Sequence, residues 1–260
     1  RDVDWRGEPY ILQYNQGHSG LGTILIDSVE RLAELQERFP KRPARCSEFI
    51  PGSIFTNNNV VTPNETLVGN ISYQITGLAP FTDNPFATIG NDWHIPAQLL
   101  SEQQMAKYHE MVAKIGNQFR EDGWLGCFGV DVVFDSRNGE LFLLEINARQ
   151  PASTSFESML QLNMRNSGAQ GITVAEAHLA TLIGIDLTGI ELIDIHDGAQ
   201  LVQRITKYRR RLDPAYLERI AQQGFSVITL DNMKIGERIA IIQSTKGIMA
   251  GSSILNEHWN

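Results

Sequence analysis

The chain has 260 residues, 42% of them hydrophobic and 20% charged, with a formal charge of -8 at neutral pH. That length can bury a full core as one large domain or two smaller ones. The acidic balance argues against a general nucleic-acid binder, which needs positive surface to release counterions, but it leaves room for a local phosphate pocket.

No apolar run approaches a membrane span, and the opening RDVDWRGEPY is no signal peptide, so neither a membrane nor export is expected and the cytoplasm is the default location. Cys46 and Cys127 form neither a disulfide framework nor a metal-spaced cluster, and both read as buried thiols. PYILQYN (9–15) and TILI (23–26) flank the turn-rich QGHSGLG, a strand–loop–strand pattern. Asp27 with Glu30 reads as a capping pair opening the helix VERLAELQERF, which Pro40 stops. ARCSEFI is the next strand, closed by Pro51-Gly52, followed by SIFTNNNVVT and LVGNISYQITG. Residues 78–98 hold three prolines and show no periodicity, which reads as a long loop.

Ser101 with Gln104 caps the longest expected helix, whose apolar stripe is Met105, Tyr108, Val112, Ile115 and Phe119. CFGVDVVF and ELFLLEIN form a hairpin through the Asn138-Gly139 turn. Thr173 with Glu176 caps a further helix, and from about residue 187 the pattern becomes strands around one helix, DPAYLERIAQQ. The expected division is 1–50, 51–186 and a small β-rich unit at 187–260, an α+β protein throughout.

The second hairpin strand carries the chemistry. Glu145, Asn147 and Arg149 stand at alternate positions and share one face if the chain stays extended. Burying that row without partners is costly, so either the face is wet or something charged sits against it. The hairpin brings Asp131 close to Glu145 and Asn147. Two carboxylates and an amide oxygen make a hard oxygen site suited to Mg²⁺ with phosphate oxygens completing its shell, and Arg149 adds a fork donor for phosphate or carboxylate. A solvated strand face with chance acids is the competing reading. The glycine-rich loop offers backbone N–H groups to phosphates, yet it is neither a P-loop, having no lysine, nor a dinucleotide fingerprint.

This succession resembles the ATP-grasp superfamily. It comprises a glycine-rich loop between antiparallel strands, a helix, a strand ending in Glu-x-Ile-Pro-Gly, a long helix, then Asp on a strand paired with Glu-x-Asn-x-Arg. The resemblance runs from about residue 9 to 186, and GAQLVQRIT is similar to the strand that follows the clamp in biotin carboxylase types. It implies two α+β lobes that clamp ATP, and a ligase that makes an acyl phosphate from a small-molecule carboxylate and passes it to an amine-type acceptor. Glu145, Asn147 and Asp131 would hold Mg²⁺, with Mn²⁺ as a substitute, and Arg149 would contact the transferred phosphate. Glu48 and Ile50 would sit at the hinge and touch adenine, and Leu143 would pack on the base. Gln13, His18, Ser19, Gly20 and Gly22 would lie along the phosphates.

Two positions depart from the family pattern. Gln13 stands where a lysine or arginine for the α-phosphate is usual, with His18 and Lys41 as candidates to compensate. Phe55 lies near the place of a common ribose-binding acid. Members of the superfamily carry an N-terminal α/β domain before the clamp, so the chain is expected to be the C-terminal portion of a longer protein, with self-association through the face thereby exposed. The rival reading is a nucleotide-binding regulatory or interaction module without turnover. Outside the site, His178 reads as structural and His94, with the basic run Lys207, Arg209, Arg210 and Arg211, as a secondary candidate. Ser153, Thr154 and Ser155 either line an acceptor pocket or cap the next turn.

Overall fold

The computed structural model describes residues 3–14, 22–209 and 211–259, and all statements of number or absence below refer to these. The first lobe is an antiparallel sheet of β1 (Tyr10–Tyr14), β2 (Thr23–Ile26) and β3 (Ala44–Glu48), in the order β2-β1-β3. Strict alternation in β1 sends Tyr10, Leu12 and Tyr14 to one face, where Leu32 and Leu35 of α1 (Val29–Arg38) pack on them. Ile11 and Gln13 take the other face with their register partners Leu25, Thr23, Ser47 and Arg45. The cap of α1 is Ser28 rather than the expected Asp27, its hydroxyl accepting from the Arg31 N–H at 3.1 Å. Glu30 contributes only charge to the first turn.

The second, larger sheet contains β4 (Gly52–Val61), β5 (Thr66–Leu67), β6 (Ser72–Thr76), β7 (Thr88–Asp92), β8 (Gly126–Asp135), β9 (Leu141–Asn147), β10 (Ala199–Arg204), β11 (Ser226–Thr229) and β12 (Arg238–Ser244). Its order is β11-β12-β10-β7-β6-β4-β8-β9, with β5 beside β4, and the pairings among these described strands are antiparallel. The helices are α2 (Pro96–Leu99), α3 (Glu102–Glu121), α4 (Thr154–Asn166), α5 (Val174–Leu182) and α6 (Pro214–Gln222), and β13 (Met249–Gly251) with β14 (Ile254–Leu255) closes the chain.

On one face of the large sheet, Tyr108 and Val112 of α3 bury against Phe55, Phe128, Val130 and Val132, with Met105, Ile115 and Phe119 at the margin. Both expected capping boxes form, at Ser101/Gln104 and at Thr173/Glu176. On the other face α5 covers Val60 and Cys127 through Val174 and Ala177, and α4 packs Phe156 and Leu160 on Trp93.

Three expectations give way to tertiary pairing. The single strand expected over 67–77 divides into β5 and β6, because at Gly69 the chain passes so close to Asn58 that an added Cβ would lie 1.8 Å from the Asn58 carbonyl oxygen. The loop expected over 78–98 contains β7, an interior strand, and α2. Its TIGND sequence has too few apolar residues to show a period, and neighbours on both sides hold it in the sheet. Ser153, expected either to line a pocket or to cap the next turn, stands at the N-cap of α4 but makes no capping hydrogen bond, its hydroxyl being bonded to Asn58 instead.

The β-rich unit expected at 187–260 is continuous with the rest. β10 pairs with β7, and Leu201, Ala240 and Ile242 share one core with Phe55. Asp92 fastens this junction: its buried carboxylate accepts from the N–H groups of His94, Ile95, Ile248 and Met249 at 2.6–3.0 Å. Gly90 lets the two strands meet, since an added Cβ would stand 2.1 Å from the Gln200 carbonyl oxygen. Gly90→Ala should therefore destabilise the protein by about 1–3 kcal/mol, the usual cost of forcing apart a packed interior. Thermal unfolding checks this, and an unchanged midpoint would show that β7 and β10 do not unfold as one body.

Candidate active site

The ten-residue ladder between β4 and β8 sets Asp131 opposite Thr56, and the hairpin sets it opposite Glu145. Directly opposed residues share a face, so the two carboxylates are cross-strand neighbours, an arrangement that like charges disfavour. Burial pushes the Asp131 carboxyl above its ordinary range and the charge of Glu145 adds to this, while hydrogen bonds from Thr56 and Gln74 and the charge of Arg149 oppose it. Asn147, opposite Gly129, places its amide nitrogen 3.5 Å from Asp131 Oδ2.

The chain does not stay extended as far as Arg149. After Asn147 it turns, the Arg149 N–H donating to the Asn147 carbonyl at 2.8 Å. The Arg149 guanidinium nevertheless comes back to the site, Nη2 donating to Asn147 Oδ1 at 3.0 Å and Nη1 to the Gln150 carbonyl at 3.3 Å. The expected group of Asp131, Glu145, Asn147 and Arg149 is thus brought together.

This donor set fits a hard divalent cation: two carboxylates and an amide, all oxygen, with a like-charge contact that a cation would relieve. No group of three or more His, Cys, Asp or Glu side chains positioned to hold a metal occurs among the described residues. Three protein oxygens leave the rest of an octahedral shell to water or other oxygens, which suits Mg²⁺.

A row of amides leads away from the carboxylates along the same face. Register aligns Gln74, Asn91, Gln200 and Gln243 on β6, β7, β10 and β12. Gln243 Nε2 donates to Gln200 Oε1 at 2.9 Å, Asn91 Nδ2 donates to Ser72 Oγ at 3.1 Å, and Gln74 bonds Asp131. None of the four is fully exposed, and none carries charge. Sequence reading missed this row because its members lie on four separate strands whose order the sequence does not state.

Behind the site lies Glu157 of α4, with no exposed surface. Asn58 Nδ2 donates to it and to Ser153 Oγ (3.0 Å), and Asn70 Nδ2 donates to it at 3.1 Å. No cation pairs with it among the described residues. Burial pushes its carboxyl up to about 7 against the opposing amide bonds. Ser153 thus anchors the segment after Arg149 to β4, and Thr154 is buried beside Cys127 rather than lining a pocket.

At the hinge, Glu48 ends β3 and meets Arg137, whose Nη2 lies 3.0 Å from Glu48 Oε1 and 2.7 Å from Asp135 Oδ2. A cleft of about 320 Å³ between the lobes is lined by Glu8, Pro9, Glu48, Phe49, Pro51 and Arg137. Ile50 is half-buried within this linker. Leu143 is 46% exposed, and a bulge at Leu144 pairs it with Val132, so it lies on the opposite face from Asp131 and Glu145. Leu143 was expected to pack on the base, and this register sets it on the face away from Asp131 and Glu145. Phe55 is wholly buried in the core.

His18, Ser19 and Gly20 lie outside the described residues, as does Arg210. Gly22 has φ +90° and its carbonyl accepts from the Tyr14 N–H at 3.0 Å, closing the strands at the mouth of the loop. Gln13 accepts from Arg45 Nη2 at 2.8 Å, a partner the sequence reading overlooked. His178 Nδ1 accepts from the Cys127 N–H at 3.0 Å, a structural contact as expected. The half-exposed His94 ring lies 3.8 Å from Asp197 through Nδ1 and 2.9 Å from Gln98 Nε2 through Nε2. In the basic run, Lys207 stands over Tyr208 and Arg209 over the Tyr216 ring at 4.8 Å.

No protein-family model matches this chain, nor does any curated protein sequence. Solved structures do. The carboxyaminoimidazole ribonucleotide synthase of Aspergillus clavatus complexed with ATP aligns at TM-score 0.63 with 16% identity, over 91% of this chain and 57% of that one. The N5-carboxyaminoimidazole synthetase of Staphylococcus aureus complexed with ADP gives TM-score 0.67 and 14% identity over 92% and 58%. The biotin carboxylase domain dimer of Hydrogenobacter thermophilus 2-oxoglutarate carboxylase, in complex with MgADP, ADP and bicarbonate, gives 0.61 and 13% over 93% and 54%. The chain therefore shares the fold of these structures, in keeping with the ATP-grasp fold that its resemblance implied, and spans a little over half their length. No described helix is long and apolar enough to cross a membrane.

The buried Glu157 yields a pH dependence. Its folded pKa of about 7 lies above the ordinary 4.5, so the folded state holds this proton more tightly than the unfolded state. Its stabilising protonated form is fully present below pH 4.5 and is lost as pH rises through about 7. Glu157→Gln should remove that fall, roughly 2–4 kcal/mol across the window. Denaturant unfolding at several pH values checks it, and parallel stability curves for variant and parent would show that Glu157 is ionised throughout.

Proposed function

We propose that this chain forms the nucleotide-binding and phosphoryl-transfer part of an ATP- and Mg²⁺-dependent ligase that joins a carboxylate to a nitrogen nucleophile. The observation that carries this reading is the convergence of Asp131, Glu145, Asn147 and Arg149 at one end of the β8–β9 hairpin. The ATP and MgADP named for structures of the same fold support it.

Asp131, Glu145 and Asn147 would hold the Mg²⁺, which supplies charge neutralisation between phosphate groups. Glu48 and the linker through Ile50 hold the nucleobase at the hinge. Arg149 orients the transferred phosphate with its planar fork, fixed by Asn147. The carboxylate oxygen attacks the terminal phosphorus of ATP and ADP leaves. The amine then attacks the acyl carbon, the bond to the phosphate oxygen breaks, and inorganic phosphate departs. These side chains position and neutralise, and none needs to become a nucleophile.

The amide row is the floor on which the acceptor lies. Gln74, Asn91, Gln200 and Gln243 present both donors and acceptors without charge, which suits a neutral nitrogen nucleophile better than an anionic one.

Glu145→Gln should leave the exposed end of β9 folded yet lower Mg²⁺-dependent ADP formation by about 100–1,000-fold, the usual loss for one preorganised electrostatic contact. Coupled ADP detection with a panel of carboxylates and amines measures this. Equal turnover by variant and parent would overturn the metal assignment, and no ADP formation by the parent under any condition would favour a binding module. Arg149→Ala should reduce turnover while Mg-ADP affinity, followed by calorimetry, is retained. Lost stability with unchanged turnover would make Arg149 structural instead.

A further inference from the structure

The face of the small lobe turned away from α1 consists of Ile11, Gln13, Thr23, Leu25, Arg45 and Ser47 in mutual register. It holds a single cation, Arg45. The other described arginines of this lobe are engaged elsewhere: Arg6 stands over Tyr10, Arg38 over Phe39, Arg42 over Tyr14, and Arg31 pairs with Glu34. Among the described residues Arg45 has no carboxylate partner, and the hydrogen bond of its side chain is the 2.8 Å bond to Gln13 Oε1.

We infer that Arg45, held across the β1–β3 ladder by Gln13, is a phosphate ligand of the nucleotide. This rests on the nucleotide reading above. Gln13 lies next to Tyr14, the last residue before the loop, and opposite Thr23, the first strand residue after it. Arg45 therefore faces the mouth of the loop from one strand away, a separation of about 5 Å. Of its five N–H donors, one is spent on Gln13, and that bond aims the fork without neutralising it. A neutral amide is suited to this work. A carboxylate at position 13 would quench the charge, and a lysine there would repel it.

A bare cross-strand pair on an exposed surface predicts something different: a small stability effect and no ligand dependence. Calorimetry of Mg-ADP and of adenosine separates the two readings. Arg45→Ala should weaken Mg-ADP binding about 10–100-fold, as loss of a charge-assisted contact does, and leave adenosine binding unchanged. Arg45→Gln, which keeps a hydrogen-bonding partner for Gln13 but no charge, should behave like Arg45→Ala. The double variant Gln13→Lys, Arg45→Ala should recover most of the Mg-ADP affinity, since it restores a cation to the same face.

Parent protein that binds Mg-ADP while Arg45→Ala binds it equally well overturns this inference alone. So does a variant that loses Mg-ADP and adenosine by the same factor, which is damage to the lobe. Parent protein that binds no nucleotide overturns the nucleotide reading and this inference with it.

Discussion

The pairing of Asp131 with Glu145 is the constraint on which the site depends. Two carboxylates sit directly opposed on neighbouring strands, and burial already disfavours the charge of one of them. The chain cannot slide out of this contact, because β8 is fixed by ten register partners on β4 and a one-residue slip would take Val130 and Val132 out of the core they share with α3 and put Asp131 into it. The bulge at Leu144 accommodates the local mismatch while keeping Glu145 and Asn147 on the same side as Asp131. The Arg149 fork, returning to Asn147, stands beside this opposed pair, and its charge opposes the upward push on the Asp131 carboxyl.

The structure treats its other buried acids differently. Asp92 is surrounded by backbone N–H groups and Glu157 by two asparagine amides, so each is satisfied within the protein. Both brace the site. Asp92 joins the C-terminal strands to β7, and Glu157 ties α4 to β4 behind Asn147. Gly129 completes the arrangement: a Cβ there would lie 2.8 Å from the Pro151 ring, so its absence lets the chain fold back over β8 and enter α4.

The hinge is fastened to the same hairpin. The Pro51 carbonyl accepts from Ser136 N and Oγ at 3.0 and 2.9 Å, and at Gly52 an added Cβ would lie 1.8 Å from the Phe134 carbonyl oxygen. Arg137, in the hairpin turn, grips Asp135 and reaches Glu48 across the lobes. One hairpin thus carries Asp131, Glu145 and Asn147 along its strands and holds the linker between the lobes at its turn.

Local signals in the sequence determined a good deal: the β8–β9 hairpin from Asn138-Gly139, the capping boxes at Ser101 and Thr173, the stripe of α3, and the grouping of Asp131, Glu145, Asn147 and Arg149. These are features of adjacent or periodically spaced residues, and a short stretch of chain is enough to specify them. What only tertiary structure decided involves residues distant in sequence. TIGND became a strand because β6 and β10 flank it, and 187–260 joined the main sheet because β10 pairs with β7. The amide row exists only once four strands align. Arg45 met Gln13 because β3 returns beside β1 across an intervening strand and helix. Strand order and register are settled by which apolar faces can be buried together, a property of the assembled core that no window of sequence contains.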